Sequence, residues 1–407
     1  MTVASEMGAS LPGKRLSVFY FLYFAVAGAA LPYLPVLLVA RGFDAAAIGT
    51  MLAIGMATKI IAPNLWAWWA DRLGTRMSII RFGIVAGGCA FAALEYVPYT
   101  LAWVAMALAF YNFFWNSVLP QFEVVTLNHL RARESRYSAL RLWGSVGFVI
   151  AVLAAGWLTQ EFGIGLLVPM ITVLFACLAV ASFVVPEPEP EPAAASESSA
   201  HERDDERLWV TLRTPSVLAF LVAVTLMQAS HGPYYAFFTI QVEDMGYART
   251  QVSLLWVLGV IAEVVLFACA PRLFARFSLR TLLLATAALT AIRWVMMAYA
   301  ADVLVVLLVA QCLHAISFGL YHAAAIQVIR RRFTGTIAGR GQALFSSIGY
   351  GVGSALGSFV AGMLWADYGP NGAYLAAAGA SVLATGVLWI WMCESDSQAN
   401  SDSPTKL

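Results

Sequence analysis

Four ionisable side chains stand in stretches otherwise apolar enough to lie in a lipid bilayer. They are Glu123 in VLPQFEVVTL, Arg141 in SALRLWGSVGFVI, Glu263 in GVIAEVVLF and Arg293 in TAIRWVMM. An ionised group at such depth is costly unless it faces a partner or a water-filled cavity, which makes each a candidate for function. Glu123 lies 8 residues before Arg131, and Arg141 lies 5 residues after Arg136. At about 1.5 Å per residue they reach depths of roughly 12 and 8 Å, a difference an arginine can span. Glu263, 9 residues before Arg272, and Arg293, 13 residues after Arg280, repeat the arrangement on two later antiparallel helices. The expectation is one carboxylate–guanidinium pair in each half of the chain. Such a pair can serve packing alone. A carboxylate that loses and regains its arginine also changes its hold on a proton, which is what a proton carrier needs. Lys59 is a fifth buried charge, with no acidic neighbour in its own half and free to balance either glutamate across a seam.

Polar residues at helical spacing extend these candidates into stripes. Gln228, His231 and Tyr235 share one face, Gln311, His314, Phe318 and His322 share another, and Asn112 and Asn116 lie on the face of Glu123. Two histidines on one stripe suit a proton path or a ligand contact, since imidazole titrates near neutral pH; the alternative is hydrogen-bonded packing.

Elements of membrane length must position these groups. The chain of 407 residues is 61% hydrophobic and 12% charged, with net charge +1, more apolar than one soluble core can hide. Runs of about 20 apolar residues divide it into twelve spans, at roughly 16–40, 45–70, 77–97, 100–128, 138–160, 164–185, 215–242, 250–271, 279–299, 302–329, 338–365 and 371–393. Six lie on either side of PEPEPEPAAASESSAHERDDER, whose Pro, Ser and charge content reads as a flexible linker. The domains expected are an N-terminal six-helix bundle over 1–185, a cytoplasmic linker over 186–213 and a C-terminal bundle over 214–407. Basic residues concentrate in the loops that share a side with both termini, whereas Arg41 and Arg249 fall on the other side, so both termini are expected in the cytoplasm.

The halves read as parallel copies. A constant offset of 204 residues carries Gly28 to Gly232, Gly42 to Gly246, Gly55 to Gly259, Arg72 to Arg276, Arg76 to Arg280 and Gly147 to Gly351. Two such bundles with a seam between them is the architecture of alternating access. Glycines crowd the fifth helix (Gly144, Gly147, Gly156) and the eleventh (Gly349, Gly351, Gly353, Gly357, Gly362), allowing close packing or sliding.

Several classes are set aside. There is no basic face for nucleic acid. No phosphate loop precedes Lys14, Lys59 or Lys406, and neither a His-Glu-x-x-His metal site nor a Gly-x-Ser-x-Gly turn occurs. Enzyme activity, cofactor and metal are not expected. The cysteines Cys89, Cys177, Cys269, Cys312 and Cys393 show no ligand spacing and read as packing residues.

The loop AWWADRLGTR resembles the G-x-x-x-D-R-x-G-x-R signature of the major facilitator superfamily at Asp71, Arg72, Gly74 and Arg76. Ala67 replaces its first glycine, and the second-half copy PRLFARFSLR lacks the aspartate. The stretches RLWGSVGFVI, SHGPYYAFF, LLWVLGVIAEVVLFA, AIRWVMMA and CLHAISFGLYHAAA resemble the bacterial 3-phenylpropionate permease family. LYFAVAGAALPYLPVLL and DYGPNGAYL are similar to the oligosaccharide/proton symporters such as lactose permease. The resemblance implies an all-α membrane protein of twelve helices in two bundles, working as a proton-coupled symporter in the bacterial inner membrane. It implies Glu263 as protonation site with Arg293 as its modulator, Glu123 and Arg141 as substrate contacts, and a gating loop at Asp71 to Arg76.

The partners expected are protons, a small organic solute and the bilayer, with a monomeric chain. The two arginines and Lys59 suit a carboxylate, and Trp143, Tyr234, Tyr235 and Phe238 suit an aromatic ring. A sugar or nucleoside, export of amphipathic compounds, and a non-transporting sensor or enzyme are the alternatives.

Overall fold

The protein, a computed structural model, is described over residues 12–188 and 198–392. Its first half contains α1 (Gly13–Ala40), α2 (Ala45–Leu73), α3 (Arg76–Glu95), α4 (Leu101–Leu130), α5 (Tyr137–Phe162) and α6 (Ile164–Val184). The second contains α7 (Pro215–Asp244), α8 (Arg249–Arg276), α9 (Leu279–Tyr299) and α10 (Leu304–Arg332). The final helical stretch, Gly335–Trp391, breaks at Gly369, where φ is 66° just before Pro370, giving α11 (335–368) and α12 (370–391). The twelve expected spans are all present among the described residues.

Local chemistry sets the helix ends. Asp44 accepts a hydrogen bond from the backbone N–H of Ala47 at 2.8 Å to start α2, and Ser278 caps α9 through Thr281 at 3.1 Å. Gly42 and Gly246 turn α1 into α2 and α7 into α8 at φ of 88° and 90°, a region that suits glycine. The repeat is thus visible in matched turns. It is visible in packing too: Gly28 lets α1 touch the α5 backbone at Phe148, and Gly232 lets α7 touch the α11 backbone at Gly357.

The two bundles meet in the middle and at the end away from the linker. A Cβ added at Gly49 of α2 would lie 2.6 Å from Cα of Gly362 on α11, so the helices touch only because both residues are glycine. At the same end Arg249 Nη1 donates to the carbonyl of Thr159 at 2.8 Å, and Gln160 Oε1 accepts from the N–H and the hydroxyl of Thr250 at 3.1 and 3.0 Å. Nearer the middle, Ser347 Oγ donates to the carbonyl of Ile60 at 3.4 Å. On the linker side the described hydrogen bonds stay within one bundle. Arg81 donates to the carbonyls of Ser182 and Val185, and Glu187 receives the first backbone N–H groups of α3, Arg76 and Met77, at 2.7 and 2.9 Å.

Two expectations need correction. Part of the linker is ordered: Ser198–Leu212 is a helix, while 189–197 lies outside the described residues. Asp204 accepts from Thr336, Asp205 pairs with Arg340, and Leu208 and Leu212 pack on the core of the second bundle. Composition predicted no fold because the stabilising partners belong to the distant start of α11 and to the core of the second bundle. The cysteines are not core residues either. Cys89, Cys177, Cys269 and Cys312 are exposed on the helix surfaces, and Cys393 lies outside the described residues.

Candidate functional site

The site is built where α4, α5, α8 and α10 approach the seam. Glu123 on α4 accepts a hydrogen bond from the hydroxyl of Tyr137 at 3.1 Å. Arg141, one turn further along α5, lays its guanidinium carbon 3.9 Å from the ring centre of Phe24 and 5.8 Å from that of Tyr20, both on α1. The expected Glu123–Arg141 contact is absent from the close ion pairs of the described residues. The two remain within electrostatic range, and Arg141 is equally within range of Glu263 in the other bundle.

Glu263 on α8 rests against Gly319, where a Cβ would crowd its Cγ at 2.9 Å. Gly319 lies in a widened π turn of α10, 315–320, and α11 carries a second such turn at 345–353. Inserted turns of this kind reposition side chains at functional sites. The expected Glu263–Arg293 pair does not form. Arg293 is fully buried inside the C-terminal bundle, donating to the carbonyl of Ala310 at 2.8 Å and to Ser317 Oγ at 2.9 Å. Its guanidinium lies 4.5 Å from the ring centre of Tyr234 and 4.4 Å from that of Trp294. Arg293 on α9 turns into the bundle interior, and α8 packs on α10 and not on α9.

The polar stripes are real faces with divided roles. His231 Nδ1 lies 2.8 Å from the carbonyl of Met227 and its ring is 6.1 Å from that of Tyr235, whereas Gln228 packs against Gly353 of α11. On α10, Gln311 Oε1 accepts from the Tyr234 hydroxyl at 2.9 Å. The rings of His314, Phe318 and His322 form a column, with centres 5.4 and 6.3 Å apart, and His322 Nδ1 meets the hydroxyl of Tyr350 at 2.5 Å. Asn112 bonds the carbonyl of Leu108 and covers Gly55, and Asn116 donates to Thr58 at 2.9 Å, so both brace α4 on α2. Lys59 is half-buried and has no hydrogen bond or ion pair among the described residues. Tyr234 and Phe238 are core residues, leaving half-buried Tyr235 and Phe318 toward the seam.

In the gating loop Asp71 pairs with Arg76, whose other amino group donates to Gln121 at 2.5 Å. Arg72 covers Trp68 at 4.1 Å, and Gly74 ends α2 at φ 66°. Sequence reasoning missed Tyr137, Phe24, Tyr350, Gly319 and Glu187. Tyr137 stands four residues before Arg141, a spacing that could have suggested it; Phe24, Tyr350 and Gly319 come from remote helices, and Glu187 from the segment after α6.

Residues 14–376 match the sequence model of the MFS_1 like family. This chain belongs to that family. It is 30% identical over 352 residues to the probable 3-phenylpropionic acid transporter of Escherichia coli, covering 86% of this chain and 91% of that protein. It is 29% identical to the maltose permease of Geobacillus stearothermophilus, covering 92% and 93%. A variant of the nucleoside transporter NupG superposes with a TM-score of 0.82 at 16% identity, over 94% of this chain and 100% of that one. An MFS_1 like chain with these relatives is a multi-pass secondary transporter, not an enzyme.

Proposed function

We propose that the protein couples inward proton movement to uptake of a small organic solute across a bacterial inner membrane, as a monomer with both termini and the linker in the cytoplasm. The observation that carries this reading is the setting of Glu263. It is half-buried in a span, has no hydrogen bond or ion pair among the described residues, and has Arg141 of the opposite bundle within reach of its charge. A carboxyl there is stabilised either by a proton or by an approaching guanidinium. Rocking of the bundles changes the second term, so proton binding and bundle position are linked. Glu123 and Arg141 then face the substrate, and His322 with Tyr350 offers a proton route toward the linker side.

An aromatic carboxylate is the favoured solute. The phenylpropionate relative supports it, as do Arg141 over the ring of Phe24 and the ring pair Tyr235–Phe318, which suit an aromatic solute. A neutral sugar is the second reading, favoured by the maltose permease relative and by the Glu123–Tyr137 pair, which offers both an acceptor and a donor to hydroxyls.

Proteoliposomes with an imposed pH gradient test the proposal. Labelled 3-phenylpropionate or maltose should accumulate with internal acidification, and Glu263→Gln should abolish accumulation while leaving exchange between equal pools. Wild-type accumulation in Glu263→Gln would move the proton to His314, His322 or Glu123; gradient-independent transport by the wild type would end the symport reading.

A further inference from the structure

The C-terminal bundle buries a cation and gives it no counter-charge. Arg293 is fully buried, and among the described residues no carboxylate pairs with it. Its Nε and Nη1 are used, but Nη2 has no hydrogen-bond partner among the described residues. Three further atoms nearby are also without partners: Nε2 of Gln311, Nε2 of His231 and Nδ1 of His314. These residues form one cluster. Arg293 bonds the carbonyl of Ala310, next to Gln311, and its guanidinium covers the ring of Tyr234, whose hydroxyl bonds Gln311. The charge of Arg293 also reaches both His231 and His314.

The chemistry of these atoms is one-sided. Gln311 accepts through Oε1, so its free Nε2 donates; Arg293 Nη2 can only donate. Nη2 of the buried guanidinium and Nε2 of Gln311 are thus two free donors, and a carboxylate with its two acceptor oxygens complements both. His231 behaves differently: its Nδ1 donates to Met227, so the neutral ring presents Nε2 as an acceptor.

We propose that Arg293 and Gln311 bind the carboxylate of the transported solute, behind a gate formed by Tyr235 and Phe318. Those two rings flank His231 and His314, with centres 6.3 Å apart, and both residues are partly exposed where the cluster itself is buried. Tyr235 neighbours His231, Phe318 stacks on His314, and Phe318 belongs to the π turn that also faces Glu263. A shift of that turn opens the cluster to the seam. The carboxylate then supplies the missing counter-charge, and a solute whose acid is masked gains nothing from entry.

This inference rests on the transporter reading but not on proton coupling, so it is tested by binding without a gradient. Purified full-length protein in detergent is titrated with 3-phenylpropionate and with its neutral amide, 3-phenylpropanamide. The wild type should bind the acid at least about tenfold more tightly than the amide. Arg293→Gln and Gln311→Leu should each weaken the acid and leave the amide unchanged, Arg293→Gln erasing the preference. Gln311→Leu keeps the buried charge and serves as the readable variant should Arg293→Gln fail to fold. Equal binding of acid and amide by the wild type, absence of acid binding, or full acid preference in folded Gln311→Leu overturns the proposal. Failure of the Glu263→Gln transport test leaves it standing.

Discussion

Arg141 on α5 and Glu263 on α8 belong to opposite bundles, and Arg141 is the cation whose charge reaches Glu263. The same guanidinium is in range of Glu123 within its own bundle and lies over the ring of Phe24. One side chain is therefore in electrostatic range of two carboxylates and forms a close ion pair with neither among the described residues.

Arg141→Lys removes the planar fork while keeping the charge. An ammonium can neither stack on Phe24 nor present two parallel donors, so substrate affinity in equilibrium exchange should fall about tenfold. Unchanged affinity would assign Arg141 to packing on α1 and not to the solute.

The far end of the seam is held by Arg249, which pairs with Glu243 at 2.6 Å and donates across the seam to Thr159. Loss of a charge-assisted hydrogen bond is worth about 1.5–3 kcal/mol, enough to shift a two-state population tenfold or more. Spin labels at the exposed far-end positions Phe162 and Tyr368 should report a longer distance in Arg249→Gln. An unaltered distance distribution would exclude Arg249 as a latch.

Two glycines should separate stability from cycling. Gly42→Ala places a side chain at φ 88° with open space around it. It should cost about 1 kcal/mol of backbone strain, seen as a slightly lower Tm with normal exchange. Gly362→Val pushes into the α2 backbone at Ala45 and Gly49, an overpacking cost of about 1–3 kcal/mol borne only when the far end is closed. It should slow exchange; normal exchange in Gly362→Val would mean that α2 and α11 do not need this contact.

The linker helix should detach when its apolar face is spoiled. Leu208 and Leu212 anchor it to the second bundle, and burial of one leucine is worth about 2 kcal/mol. Leu208→Asp should speed proteolytic cleavage within 198–212 while the Tm of the bundles stays unchanged. Unaltered cleavage would mean that Asp204 and Asp205 suffice to hold the helix.

Much of this protein was legible from residues 1–407 alone. Twelve spans, the offset joining Gly42 to Gly246, the five buried charges and the family all follow from local signals: apolar run length, the glycine demand of a positive φ, and the cost of a charge in lipid. Which charges meet was decided only by the tertiary structure. Depth along a helix predicted Glu263 with Arg293, yet depth leaves rotation about the axis open. For α9 that rotation is set by close contacts such as Trp294 on His231 and on Tyr374. It turns Arg293 into the bundle interior and leaves Glu263 to Arg141. The linker helix was hidden for the same reason, because Thr336, Arg340 and the apolar face that order it lie more than a hundred residues away in the chain.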